Sequence, residues 1–351
     1  MKLLVEAPLN PLSLGNVSYN IVRELVGKGH DIGIFPIGKV DLSTFDEDKN
    51  LLSKIKDAVD NRYDYLSDDI PQLKIWHING SEDKKNKDQY LYSFYECNQP
   101  TEVEKKICNH QATSIFSSSC AAEMLDAKYV PLGFDQDFNV TEKKYLNDVV
   151  HFGLMGKFEK RKHTANIIST WAKKYGNNNK YQLTCCVGNP FFSNEEMNSL
   201  LHNCLGGESY TNINFLPFLP KNKDVNDFLN SIDIDLTGLS GAEGWNLPAF
   251  NATCLGKWSI VLNETSHKDW ADKSNSIIVE SDSEFPCYDQ KFFVEGNSFN
   301  QGTFYNWTED QAISAMEEAE KKVGQINTEG QKLADKFTYS NTVDGILSLI
   351  S

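Results

Sequence analysis

Val149-Val150-His151-Phe152-Gly153-Leu154-Met155-Gly156-Lys157-Phe158-Glu159-Lys160-Arg161-Lys162-His163 reads as a strand that runs straight into a basic turn. Residues 149–154 have the length and apolar content of a strand covered on both faces. A polar stretch from Asp135 to Asn147 precedes them, and alternating strands and helices follow. A domain boundary belongs here, with residues 1–146 as one unit and residues 147–330 as another. A chain of 351 residues suits that division, because it exceeds what one hydrophobic core usually organises.

Upstream, Leu3-Leu4-Val5 reads as a strand and leads through the loop Asn10-Pro11-Leu12-Ser13-Leu14-Gly15-Asn16 into a helix. Ile21, Val22, Leu25 and Val26 share one face of that helix, and Gly27 and Gly29 end it. Asp31–Ile37 is the next strand, so the opening is a βαβ unit, which implies a parallel sheet. Further short apolar runs lie at Lys74–Ile78, Tyr90–Phe94, Thr113–Phe116 and Tyr129–Pro131.

Downstream, strands are expected at Tyr181–Val187, Asn214–Phe218, Ile232–Leu236, Trp258–Leu262 and Ser276–Val279. Helices separate them, among them one with Met197, Leu200, Leu201, Cys204 and Leu205 in an apolar stripe. Val343, Ile346, Leu347 and Ile350 line the last apolar face, and segment 331–351 is expected to pack back towards the N-terminal domain. The pattern predicts an α/β fold of two Rossmann-like, doubly wound parallel-sheet domains facing a cleft, where such folds bind ligands.

With 40% hydrophobic and 24% charged residues, the composition is that of a soluble globular protein. No apolar run approaches the roughly 18 residues that span a bilayer, so no transmembrane segment is expected. The stretch Met1–Pro8 is interrupted by Glu6 and is too short for a secretory core. The eight cysteines, at 97, 108, 120, 185, 186, 204, 254 and 287, lack zinc-site spacing, so they read as reduced thiols of a cytoplasmic protein. A net charge of -15 argues against broad non-specific nucleic-acid binding.

The stretch richest in chemistry is Leu239-Ser240-Gly241-Ala242-Glu243-Gly244-Trp245-Asn246-Leu247-Pro248-Ala249-Phe250-Asn251-Ala252-Thr253-Cys254-Leu255-Gly256. It follows a buried strand and starts a helix near Leu247, so free backbone N–H groups and the positive end of a helix dipole meet the cleft. That arrangement suits a diphosphate. Glu243 can accept hydrogen bonds from sugar hydroxyls. The basic turn at residues 157–162 supplies cations to compensate a diphosphate. On local features alone, a capped surface loop accounts for the first stretch equally well, and a solvated basic turn accounts for the second better.

These two stretches resemble the motifs of the retaining glycosyltransferases with the GT-B fold. The family's G-R-L-x-x-x-K-G matches Gly156-Lys157-Phe158 with Lys162-His163, Lys standing for Arg and His for Gly. Its E-G-F-G-L-P-x-x-E-A matches Glu243 to Ala252, with Asn251 in place of the second glutamate. Ser117-Ser118-Ser119, Val130–Asp135 and Phe94-Tyr95-Glu96 resemble further elements of the first domain.

The resemblance implies that Lys157 and Lys162 hold the donor diphosphate. Glu243 would touch the transferred sugar, and the amides of Gly244, Trp245, Asn246 and Leu247 the phosphates. Asn251 would face the ribose, and Gly15 and Asn16 would approach the donor from the first domain. Glu96 and His77, at the ends of first-domain strands, are candidates near the acceptor or the transferred sugar, with a packed side chain as the competing reading of His77. No cofactor is implied, and a nucleotide sugar such as a UDP- or GDP-sugar would be the co-substrate. The acceptor would be a glycan, a lipid-linked sugar or a modified nucleobase.

Cleaving a sugar–phosphate bond builds negative charge on the diphosphate, which Lys157, Lys162 and helix amides can stabilise without a metal. Asp233-Ile234-Asp235 and Asp135-Gln136-Asp137 therefore read as imitations of a metal-binding Asp-x-Asp rather than as ligands. The family resemblance implies retention at the anomeric carbon. Rival readings are a non-hydrolysing sugar-nucleotide epimerase, a viral-type DNA-base glycosyltransferase and a non-catalytic nucleotide-sugar-binding protein.

Overall fold

The computed structural model describes residues 1–45 and 48–350. The first sheet contains β1 (Lys2–Ala7), β2 (Asp31–Pro36), β3 (Gln72–Ile75), β4 (Gln89–Ser93), β5 (Thr113–Phe116) and β6 (Lys128–Tyr129). Their spatial order is β2-β1-β3-β4-β5-β6, all parallel. The second sheet contains β7 (Val150–Met155), β8 (Tyr181–Cys186), β9 (Ile213–Phe215), β10 (Ile234–Asp235), β11 (Trp258–Leu262) and β12 (Ser276–Val279). It runs β12-β11-β10-β7-β8-β9, again parallel throughout. Crossover helices cover both sheets, which is why their central strands are buried and nearly continuously apolar.

The first-domain helices are α1 (Ser13–Gly27), α2 (Lys49–Asp60), α3 (Glu102–Asn109) and α4 (Ser119–Met124). Those of the second are α5 (Thr164–Tyr175), α6 (Asn194–Cys204), α7 (Asn222–Ser231), α8 (Leu247–Cys254) and α9 (Glu309–Glu320), and the chain continues with α10 (Thr328–Lys336) and α11 (Tyr339–Leu347). No helix of the described residues is long and apolar enough to cross a membrane.

Four expected strands are clearly shorter than their apolar runs, one of them Tyr129–Pro131, of which only Tyr129 pairs. The run Lys74–Ile78 leaves the sheet at Ile75 because Lys74 Nζ bonds the carbonyls of Gly80 (2.7 Å) and Asp83 (3.1 Å), curling residues 76–83 into a loop. His77 therefore lies beyond the strand rather than at its end. Of Asn214–Phe218 only the start pairs, and of Ile232–Leu236 only Ile234–Asp235. An antiparallel hairpin of β13 (Ser283–Pro286) and β14 (Thr303–Asn306) was not expected at all.

That hairpin belongs in sequence to the second domain but rests on the first. Asn98 Nδ2 donates to Thr303 Oγ1 (2.7 Å), Thr101 Oγ1 to the Ser298 carbonyl (2.6 Å) and Asn300 N to Glu104 Oε1 (2.8 Å). Beneath these bonds Phe293 and Phe304 share a hydrophobic cluster with Ile78, Tyr95, Ile107 and Phe116.

The linker is held by asparagines spaced four apart on α7, the interval that puts them on one helix face. Asn222 Nδ2 donates to Asp137 Oδ2 (3.0 Å), Asn226 Oδ1 accepts from Asn139 N (3.1 Å) and Asn230 Oδ1 from Thr141 N (2.8 Å). Arg23 of α1 pairs with Asp137 (2.7 Å) and Asp135 (3.5 Å), so the aspartates of the 135–137 triplet serve this hinge.

Helix α11 packs on α1, and Tyr339, Val343, Ile346 and Ile350 complete the first core. Phe134 N donates to the Phe337 carbonyl (2.8 Å). The crossing is so close that a Cβ on Gly133 would lie 2.1 Å from Tyr339 N and 2.4 Å from the Thr338 carbonyl carbon. Backbone cannot yield there as a side chain can, so Gly133→Ala is expected to lower stability by about 1–3 kcal/mol, the range for overpacking. A urea melt reads the effect, and an unchanged midpoint would contradict it.

Candidate functional site

The strand-to-turn transition after β7 and the segment before α8 meet in one place. Lys162 Nζ lies 2.5 Å from Glu243 Oε1, and Arg161 Nη1 lies 3.0 Å from Glu243 Oε2. Ser240 Oγ donates to Glu243 Oε1 at 2.7 Å. Burial by itself would raise the Glu243 pKa, but the Arg161 and Lys162 cations outweigh it and hold the carboxyl well below its usual range. Glu243 is therefore a fixed, buried anion.

Arg161 is the centre of a wider cluster. Its Nη2 lies 3.1 Å from Glu159 Oε2 and 3.4 Å from Glu96 Oε1, and its Nη1 donates to the Ala242 carbonyl. Glu96 follows β4, so one guanidinium joins carboxylates of both domains. Burial pushes the Glu159 pKa up, yet Arg161, Lys162 and Lys157 bring it below its usual value. Lys157 lies 3.3 Å from Glu159 Oε1 and half-exposed beside the Phe191 ring. Arg161, like Lys160, has no counterpart in the motif that assigns Lys157 and Lys162; its contacts show only when the two domains come together.

The loop carrying Glu243 is gripped by the first domain as well. Ser117 Oγ donates to the Gly244 carbonyl (2.7 Å), and a Cβ on Gly244 would approach Phe94 Cβ at 2.9 Å. Helix α8 then starts at Leu247, with Pro248 in its first turn and Asn246 before it at φ 67°. The first intrahelical bond is Phe250 N to the Asn246 carbonyl (3.0 Å), so the amides ahead of it have no acceptor within the helix, an arrangement that can take an anion.

Trp245 contributes backbone only. Its indole is buried against Phe250 and Phe337 in the first core. Asn251 is buried in α8, and its Oδ1 has no partner among the described residues. His77 is solvent-exposed; the neighbouring protein lowers its pKa, Glu96 opposes the shift and Lys157 adds to it.

Two first-domain residues sit differently from expectation. Gly15 is in the first turn of α1 rather than in the preceding loop, and a Cβ there would meet the Asn10 backbone at 2.3 Å. Asn16 Nδ2 donates to Asn222 Oδ1 (3.0 Å), which ties it to the hinge.

The aspartates of the 233–235 triplet point to structural duties. Asp233 Oδ2 accepts from His151 N (2.9 Å), and Asp235, whose pKa burial raises to about 6, accepts from Thr237. The described residues contain no cluster of three or more His, Cys, Asp or Glu that could hold a metal ion.

No family model and no curated relative matches the sequence. Solved structures do match. HepE of Anabaena in complex with UDP-glucose superposes with a TM-score of 0.65 at 14% identity, over 100% of this chain and 99% of that one. Sucrose-phosphate synthase from Thermosynechococcus elongatus gives 0.68 at 12% identity, over 100% and 98%. The pneumococcal O-GlcNAc transferase GtfA, in complex with UDP and GlcNAc, gives 0.57 at 10% identity, over 86% of this chain and 60% of that one. With two parallel six-stranded sheets, and with the first two of these likenesses spanning its whole length, the chain has the GT-B fold.

Proposed function

We propose that the protein is a glycosyltransferase that moves a sugar from a nucleotide-activated donor to an acceptor hydroxyl, with retention and without a metal. The observation that carries this reading is the 2.5 Å contact between Lys162 and Glu243, which brings the cationic turn and the amide-rich start of α8 to one point. A diphosphate placed there meets Lys162, Lys157 and the helix amides, which would stabilise the charge that develops on it as the glycosidic bond breaks. Lys162 then shifts from Glu243 to the diphosphate, while Arg161 continues to neutralise Glu243. The Glu243 carboxylate is left facing the sugar, where negative charge favours oxocarbenium character.

The first domain supplies the acceptor side, with Glu96 and His77 on the cleft wall. Likeness to proteins solved with UDP-glucose, or with UDP and GlcNAc, favours a UDP-sugar as donor. The unpaired cysteines fit a reducing, cytoplasmic setting.

Thermal-shift measurement against UDP- and GDP-sugars tests the reading, because a ligand that binds only the folded state raises its melting temperature. Lys162→Ala is expected to weaken donor affinity about tenfold or more, the worth of one charged hydrogen bond, with a smaller change in kcat. Equal donor affinity in wild type and variant would remove Lys162 from the site.

A further inference from the structure

Behind the Glu243–Asn246 loop lies a short 3-10 turn, Thr265–Asp269. Loop and turn each contain a non-glycine residue in the left-handed region, Asn246 at φ 67° and Thr265 at φ 52°. That conformation is tolerated by asparagine and unfavourable for β-branched threonine, so it persists only where surrounding bonds enforce it. Thr265 Oγ1 accepts from Glu243 N (3.1 Å). Asn246 Nδ2 donates to the Thr237 carbonyl (3.0 Å) and faces His267 Nε2 at 2.9 Å.

The tautomer follows from the other side of the ring. His267 Nδ1 lies 2.8 Å from the Leu262 carbonyl, which can only accept, so Nδ1 carries the proton and Nε2 presents its lone pair to Asn246. Burial holds the ring's pKa down at about 4 against the upward pull of Glu243, which keeps it neutral in the working range. Asn246 Oδ1 is buried without a partner among the described residues, so Thr237 and His267 alone anchor that amide.

We infer that His267 is a positioning residue: through the lone pair on Nε2 it holds Asn246 in the left-handed conformation from which α8 starts, and so aims the first amides of that helix at the donor diphosphate. This rests on the diphosphate site proposed above. A glycine at 246 would adopt the conformation freely; asparagine tolerates it, and the bond to His267 fixes it there.

Two variants separate the two ends of the ring. Gln at 267 reaches the Nε2 position and accepts from Asn246, while Asn reaches only the Nδ1 position and keeps the Leu262 bond. With inorganic pyrophosphate as the probe, which is independent of the nucleotide base, calorimetry on the full chain should show H267N binding about tenfold or more weakly, and H267Q within about threefold of wild type. In an N246G background, adding H267N should cause no further loss. Equal weakening in H267N and H267Q, with N246G giving no relief, marks a packing role and overturns the proposal. An Nε2–H tautomer in nitrogen-resolved NMR of the histidines overturns it separately. Wild-type protein that ignores pyrophosphate while His267 shows the Nδ1–H tautomer would instead bring down the diphosphate site and, with it, the role assigned to His267.

Discussion

Glu243→Gln should reduce sugar transfer by a factor of about 100 to 1,000 or more, the cost of removing one preorganised charge from a transition state. Glutamine keeps the shape and can still accept from Ser240 Oγ and Lys162, while its amide nitrogen turns to Arg161, so the loss falls on the charge and on that one contact. In the native site Arg161 and Lys162 keep Glu243 ionised, and an anion beside the anomeric carbon matters most as positive charge develops on the sugar. Nucleotide release from the sugar nucleotide that stabilises the wild type measures the effect, and turnover within about threefold of wild type would remove Glu243 from the chemistry.

Stability carries a second signature of the same residue. The folded Glu243 pKa is depressed, so its contribution is fully present above the ordinary glutamate pKa of about 4.3 and fades as pH falls below it. The acid limb of a stability profile should accordingly be shallower in the glutamine variant.

Arg161→Met should be the most damaging change to the fold. It replaces the guanidinium among Glu96, Glu159 and Glu243 by an apolar chain of similar length, leaving buried carboxylates facing one another. Breaking one side of a buried ionic cluster costs about 3–5 kcal/mol. The sign of its pH dependence is diagnostic. Without Arg161, only Lys162 and Lys157 oppose burial and mutual repulsion, so the folded pKa values of Glu159 and Glu243 rise relative to the native protein and the deficit of the variant shrinks as pH falls towards them. Urea melts at pH 7.5 and 5.5 would show the deficit shrinking in acid; an equal deficit at both would mean that lost packing, not unpaired charge, is responsible.

What the sequence revealed and what it hid have physical reasons. Parallel strands between helices are buried on both faces, so Thr113–Phe116, Trp258–Leu262 and Ser276–Val279 announced themselves as apolar runs with the bounds found in the structure. The hairpin at 283–306 is two four-residue strands separated by the long loop 287–302, without alternation to betray it. Lys162 and Glu243 carried motif spacing. Arg161 and His267 carried none, because each acts on groups about 20 to 80 residues away or in the other domain, a relation that exists only after folding. Trp245 stood in the motif beside the amides, yet its side chain turned to the core, where packing on Phe250 and Phe337 takes the large apolar indole out of water.

The docking of α11 over Gly133 bears on how the protein is made. Its first sheet is complete by residue 129, but the core beneath that sheet includes Tyr339, Val343, Ile346 and Ile350. During synthesis the amino-terminal half must therefore emerge with an uncovered apolar face and wait for residues 339–350. At roughly 5–20 residues per second, that interval lasts on the order of ten to forty seconds, a window in which a chaperone, rather than the chain itself, would have to shield the nascent sheet.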